Sequence, residues 1–356
     1  MRRTKKRAFG AGEGGLSLLT MAVVLAGGGL AGCGGGGAKE LSALPPPKPP
    51  AVSAPPAPSV IPGSGSMEEP SGGEPSDSAS SASPAPRGPC PDEMIFVDTL
   101  YCPSVRLRCI KDEYSASNNI TICHEFAPGQ VCLGAPRRQR FCIDRFEYPN
   151  QEGAHPPVMV DWYDAAGACA SRGKRLCWES EWVSACEGPE KLPFPYGLKR
   201  DPEMCNIDNR WLNVDLEKLY SKSAAIQGAE LLRLDQSVPS GAKKGCVSGF
   251  GVRDLTGNVD EWVNAEKKYK KSKWAGLKGG AWGHVRNACR PMTTSHAPDF
   301  TYYFVSFRCC ADAAPDPEAA RDTNLWSPPP QPSPRDPKGA MSPGWTPRER
   351  GPNQPR

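Results

Sequence analysis

The chain has 356 residues, among them 40 prolines, 37 glycines and 15 cysteines, and a formal net charge of +4. The prolines crowd into 34–89 and 312–356, whereas nearly all aromatic residues and every cysteine but one lie within 90–311, a distribution that excludes a membrane-span bundle, a coiled coil, a repeat array and an ordinary cytosolic enzyme. Within 90–311 there are 29 Lys and Arg against 27 Asp and Glu, so the basic excess that a nucleic-acid binder needs is missing.

The first residues read as a targeting segment. Arg2, Arg3, Lys5, Lys6 and Arg7 precede a short apolar run, Leu16 to Leu30, too short and too rich in glycine for a membrane span. The run ends in Leu30-Ala31-Gly32-Cys33, which resembles a bacterial lipobox. Residues 1–33 are thus expected to be a lipoprotein signal ending at Cys33, with Cys33 acylated as a membrane anchor. Gly34 after it points to the outer membrane. Residues 34–89 hold no Phe, Trp or Tyr and are expected to be a disordered Pro/Ser/Gly linker.

The folded domain is expected over 90–311. Its first part, 90–140, is loop-rich and dense in cysteine, with a short strand at Met94–Val97 and another just after it at Phe141–Ile143. Asp161 suits a helix N-cap before the small-residue stretch Trp162 to Ser171, and Gly173 suits its end. A second helix is expected from Glu179 to Cys186, with Trp182 and Cys186 on one face. Long Gly- and Asn-rich loops follow, broken by aromatic runs such as Tyr302-Tyr303-Phe304-Val305. Residues 312–356 read as a second disordered, Pro-rich segment in which Trp326 and Trp345 are incidental. The whole fits an α+β domain pinned by cross-links.

Setting Cys33 aside leaves 14 cysteines, an even number, in a chain expected outside the cytoplasm. No Cys-x-x-Cys spacing occurs, so seven disulfides are expected rather than a zinc site. Adjacent Cys309 and Cys310 must take different partners.

Several motifs occur in a fixed order. They are Gly173-Lys174-Arg175-Leu176 with Glu179-Ser180-Glu181-Trp182, "PYG" at 195–197, "CNID" at 205–208, "FGVRDLTGNVDEWV" at 250–263, "KGGAW" at 278–282 and "SFRC" at 306–309. Together they resemble the formylglycine-generating enzymes, or sulfatase-modifying factors, over roughly 140–311. The resemblance implies an α+β fold of the C-type-lectin-like, sulfatase-modifying-factor kind, with little regular secondary structure. It implies the bridges Cys169–Cys309 and Cys186–Cys289. The other ten cysteines are left open, apart from a guess that Cys205 joins Cys246. It also implies structural Ca²⁺, one ion at Gly257, Val259 and Glu261 and a second at Asn206 and Ile207. An extended peptide in such proteins lies where Trp262, Trp282, His284, Arg286, Arg290 and His296 fall here, and aromatic–arginine groups of this kind are common in binding sites.

The family's oxidase reaction depends on two cysteines that bind copper(I), between the "GG-W" motif and the next bridged cysteine. Here that interval, Ala281 to Ala288, contains none. Copper is therefore not expected. An iron site of the kind found in related sulfoxide synthases has only His284, His296 and Asp299 to draw on, and is not expected either. The favoured reading is a non-catalytic binding or structural module at the cell envelope, taking a protein, peptide or glycan ligand. The alternative is a metal-dependent oxidoreductase acting on protein or peptide thiols.

Overall fold

The computed structural model describes residues 88–333; the expected leader and linker, residues 1–87 with Cys33, and residues 334–356 with Trp345 lie outside the described residues. All described residues belong to one unit, Ala79–Arg356.

The N-terminal part is built from strands. β1 (Met94–Tyr101) pairs antiparallel with β6 (Arg137–Asp144) along its whole length, from Met94 opposite Asp144 to Tyr101 opposite Arg137. Between them the chain makes two small antiparallel ribbons, β2 (Val105–Arg106) with β5 (Val131–Cys132) and β3 (Cys109–Ser115) with β4 (Ile120–Phe126). β3 is exposed almost throughout and buries no core of its own.

The central helices form where expected. α1 (Trp162–Ala170) starts at Asp161, whose carboxylate accepts the Asp164 N–H at 2.7 Å. Gly173, at φ +68, lets the chain reverse so that the N–H groups of Gly173 and Lys174 close on the carbonyls of Ala170 and Cys169. After β7 (Arg175–Leu176), α2 (Glu179–Glu187) buries Trp182 and Cys186 on one face. Glu181 sets its start, accepting the Trp178 N–H at 2.8 Å while it holds Arg175 through two hydrogen bonds. Two further helices, α3 (Leu216–Leu219) and α4 (Ala224–Leu234), pack on each other in the middle of the chain.

Strands β8 (Asp260–Tyr269), β9 (Lys273–Lys278), β10 (Val305–Phe307) and β11 (Cys309–Asp312) complete the body. β8 lies between β9, antiparallel, and β10, parallel. β11 inserts between β6 and β7, giving the order β1-β6-β11-β7. One apolar core surrounds Trp162, Trp262, Trp282, Tyr303 and Phe307, and a second surrounds Phe141, Ile143, Trp182 and Leu255.

All fourteen cysteines from Cys90 to Cys310 are paired. Cys169 joins Cys309, Cys186 joins Cys289 and Cys205 joins Cys246. The pairs left open are Cys90–Cys142, Cys102–Cys132, Cys109–Cys123 and Cys177–Cys310. Adjacent Cys309 and Cys310 point to opposite faces of β11, as alternation along a strand requires, and so reach α1 on one side and the residue after β7 on the other.

The expected end of the domain at residue 311 is corrected. The chain beyond it packs as far as the description extends. The Trp326 N–H donates to the Arg138 carbonyl, and the Arg138 N–H donates to the Asn324 carbonyl. The Trp326 ring lies 4.5 Å from the Arg137 guanidinium and 6.5 Å from the Trp178 ring. The Gln331 side-chain oxygen accepts from the Leu176 N–H and the Asn264 amide at 2.8 and 3.1 Å. The proline-rich segment forms one short 3-10 turn, Ala319–Arg321, and a single parallel bridge of Leu325 to Arg138, and anchoring side chains fix the rest. Trp326 is therefore not incidental.

Candidate binding face

The "GN-x-x-E-W" turn, residues 257–262, is the structural centre of the body. Glu261 on β8 is buried and pairs with buried Arg308, which donates to both of its oxygens at 2.6 and 2.7 Å. The Trp182 indole of α2 donates to the same carboxylate at 2.8 Å. One carboxylate thus ties α2, β8 and the chain after β10. Gly257, at φ +83, sits so close to the next loop that a Cβ there would lie 2.4 Å from the Asn206 carbonyl oxygen. That approach allows the Asn258 N–H to reach the same carbonyl at 2.9 Å. The Asn258 side chain in turn donates to buried Glu147 and accepts from Asn206 and from the Val238 N–H.

These contacts bear on calcium. Both Glu261 oxygens are committed to Arg308 and Trp182. The Asn206 side chain is committed to Gln236, Asn258 and Asn209, and its carbonyl to Asn258. Ile207 and Val259 are buried beside them and have only main-chain oxygens to offer. With the Glu261 and Asn206 side chains so committed, the set drawn from Gly257, Val259, Glu261, Asn206 and Ile207 leaves the main-chain carbonyls of Gly257, Val259 and Ile207, fewer than the six to eight oxygens that a calcium ion takes. The turn is held by hydrogen bonds and one ion pair instead.

The six residues expected to line a groove divide. Trp262 and Trp282 are 1% and 2% exposed, and the Trp262 indole donates to the Val160 carbonyl. Both are core, which corrects their assignment as groove residues: both rings lie in the same apolar cluster, with Trp282 packed against Tyr303 and Phe304. Arg290 is also elsewhere. Its guanidinium makes a two-pronged pair with buried Glu187 and donates to the Cys102 carbonyl, clamping α2 to the end of β1.

His284, Arg286 and His296 do gather. The Arg286 N–H donates to His284 Nδ1 at 3.3 Å, and its guanidinium donates to Thr293 Oγ1 at 3.1 Å. Burial, with the charges of Arg286 and Arg200 beside it, lowers His284 to about 4, so the ring is neutral at pH 7 and Nδ1 is free to accept. Burial also lowers His296, with Lys271, His284 and Arg286 adding to it. Beneath them Asp260 is pushed up to about 7 by burial, against a stabilising hydrogen bond from the Gly280 N–H and the Arg286 charge.

Sequence reading missed the aromatic surround. His296 stacks on Phe300 with ring centroids 3.8 Å apart, Phe300 stacks on Tyr302 at 5.6 Å, and Tyr302 meets Phe304 edge-on at 4.9 Å. Phe304 also faces His284 at 6.3 Å. The Tyr302-Tyr303-Phe304 run was the available signal. The result is a half-buried face of two neutral imidazoles, one guanidinium without a carboxylate partner among the described residues and a row of rings. Such a face can hydrogen-bond and stack. Its groups offer no strong nucleophile.

The residues do not fit copper either. Every cysteine of the described chain is in a disulfide, and Ala281 to Ala288 supplies none. Among the described residues no three His, Cys, Asp or Glu side chains gather into a metal-binding group, so His284, His296 and Asp299 do not form an iron triad.

Comparison with known proteins agrees with the motifs. The chain is 30% identical over 169 residues to the inactive C-alpha-formylglycine-generating enzyme 2 of Bos taurus, covering 46% of this chain and 52% of that one. It is 27% identical over 179 residues to the formylglycine-generating enzyme of Mus musculus, covering 45% of each. The chain thus spans about half the length of these curated relatives. Among solved structures, CarF is similar with a TM-score of 0.38 and 15% identity, covering 62% of this chain and 97% of that one. PvdO from Pseudomonas aeruginosa is similar with a TM-score of 0.37 and 16% identity, covering 61% and 94%. The family described as sulfatase-modifying factor enzyme 1-like domain matches residues 123–313. The chain therefore belongs to the sulfatase-modifying factor enzyme 1-like domain family.

Proposed function

We propose that this protein is a non-catalytic member of its family, a binding module held at the cell envelope by an acylated Cys33. The observation that carries the reading is the state of the cysteines: all fourteen of the described chain are disulfide-bonded, and the interval Ala281 to Ala288 has His284 and Arg286 but no thiol. Copper(I) oxidase chemistry needs paired thiolates. Relatives whose names include both an enzyme and an inactive form match to a similar degree, so likeness alone favours neither. The ligand-binding surface in this reading is the face of His284, Arg286, His296, Phe300 and Tyr302, which suits a peptide or glycan that offers a hydrogen-bond acceptor to Arg286 and a flat surface to the rings.

The test is direct. The purified protein is incubated with copper(I), oxygen and a cysteine-containing sulfatase peptide, and no aldehyde forms. The same protein is screened on peptide and glycan arrays, where the strongest binder loses at least tenfold affinity, about 1.4 kcal/mol, on Arg286→Ala. Conversion of the peptide would overturn the reading.

A further inference from the structure

Residues 324–331 lie on the body as a strap held at two points. At the first, the Arg138 N–H and carbonyl pair with the Asn324 carbonyl and the Trp326 N–H at 3.0 and 2.8 Å, in the manner of a short added parallel strand. The Trp326 ring there meets the Arg137 guanidinium and the Trp178 ring. At the second, the Gln331 side-chain oxygen accepts from the Leu176 N–H and the Asn264 amide. Between the two points Ser327, Pro329 and Pro330 are exposed, and the run Pro328 to Pro330 favours an extended polyproline backbone. Main-chain pairing, an aromatic anchor, a proline run and a side-chain amide are the means by which domains take extended peptides.

The strap satisfies the surface beneath it incompletely. Trp178 Nε1, Arg137 Nε and Asn264 Oδ1 are buried and have no hydrogen-bond partner among the described residues. Trp178 is 4% exposed and Asn264 is 0% exposed. Each of these side chains touches Trp326 or Gln331. Buried polar groups are nearly always paired, so two donors and an acceptor left open under one segment mark a surface that a better-matched chain would bind through added hydrogen bonds.

The strap is also lightly retained. No cysteine follows Cys310, so none of the seven bridges reaches it. It borders an open cavity of about 450 Å³, lined by Arg140, Pro315, Pro317, Leu325, Trp326 and Pro328, so part of it has no protein packed against it. A segment with few buried contacts can open locally while the body stays folded.

We infer that residues 324–331 are a displaceable self-ligand, and that Arg137, Leu176, Trp178 and Asn264 form a groove for an extended peptide of a partner protein, one carrying an aromatic residue followed by prolines. Carbonyls of such a peptide accept from Trp178 Nε1 and Arg137 Nε, and an N–H donates to Asn264 Oδ1, which are hydrogen bonds the strap does not make. The groove shares no residue with the face of His284, Arg286 and His296, so the inference is independent of the proposed function.

The full chain carrying Cys33→Ser, which removes the expected acylation site, is titrated with a fluorescent peptide of the strap's own sequence, residues 322–333, and binding is read by anisotropy. Trp326→Ala and Gln331→Ala together release both anchors, and that chain is expected to bind the peptide at least tenfold more tightly than the chain with its strap intact. Replacing the tryptophan of the peptide with alanine, or adding Arg137→Ala to the chain, is expected to remove the binding. Hydrogen exchange on the chain with its strap intact reads the opening without a substitution in the groove: the Arg138 and Leu176 amides are expected to exchange at least a hundredfold faster than the β1–β6 ladder. Exchange of those two amides only together with the ladder overturns the inference, because the strap is then a fixed part of the fold. Equal peptide binding with and without the two anchors, or none in either chain, overturns it as well. Tighter binding that survives Arg137→Ala places the peptide elsewhere and also overturns it.

Discussion

Two regions of this domain use disulfides in different ways. In the N-terminal part, Cys102–Cys132 and Cys109–Cys123 close loops of 30 and 14 residues, and Cys109 and Cys132 are exposed. In the body, Cys169–Cys309, Cys177–Cys310 and Cys186–Cys289 span 140, 133 and 103 residues, and all six sulfurs' residues are fully buried. The β3–β4 ribbon has no core, so its bridge substitutes for one. The body has two cores, and its long bridges restrict an unfolded chain that would otherwise separate α1 and α2 from the last strands. The same cross-link is thus a local staple in one region and a global constraint in the other.

The sharpest way to break this comparison is to delete one bridge of each kind. Replacing Cys177 and Cys310 together with alanine is expected to cost roughly 4–5 kcal/mol in denaturant unfolding, the entropic value for a loop of this length. Replacing Cys109 and Cys123 is expected to leave the melting temperature of the body almost unchanged while amide exchange rises in β3 and β4. Equal effects on melting would remove the distinction. Next in size is Glu261→Gln, which leaves Arg308 buried with an incomplete partner and is expected to cost roughly 3–5 kcal/mol by the same unfolding measurement.

Smaller effects refine where the body ends. Trp326→Ala removes the ring over Arg137, and a loss of roughly 1–2 kcal/mol is expected, with faster proteolysis confined to residues after Asp312. Cleavage at that rate in the unaltered protein would instead restore a boundary near 311. The smallest effect is titrational. Asp260 is held up to about 7 by burial, well above an unfolded carboxylate. The folded state therefore binds its proton more tightly, and the stability this gives is present at pH 4 and lost as pH rises through 7. Asp260→Asn keeps an acceptor for the Gly280 N–H and is expected to match the parent near pH 4 and exceed it at pH 8 in thermal melts. A constant difference across pH would contradict the assignment.

Much of the fold was legible because the family motifs sit at its structural hinges. Asp161, Gly173 and Glu179 to Cys186 predicted the two helices to within a residue, for reasons of capping and small-residue spacing. The motifs also carried two of the seven bridges. What remained hidden depends on tertiary placement. Composition after residue 311 gives no sign that Gln331 satisfies the Leu176 N–H 155 positions away in the chain. Trp262 and Trp282 were expected to line a groove, and only their tertiary packing places both in the core. Glu261 was expected as a calcium ligand from the resemblance alone, and its pairing with buried Arg308, 47 residues further on, had no signal in the sequence. Of the candidate face, His284, Arg286 and His296 were visible as residues, whereas the row from Phe300 to Phe304 was seen only as an aromatic run.

The central claim is that every cysteine from Cys90 to Cys310 is in a cross-link and that none lies in the interval Ala281 to Ala288. It is tested most directly by alkylating the native protein under denaturing, non-reducing conditions and mapping the cysteine peptides by mass spectrometry. The account predicts that none of the fourteen residues from Cys90 to Cys310 takes up the label and that seven linked peptide pairs are recovered, Cys177–Cys310 among them. Stoichiometric labelling of any two of them would contradict it.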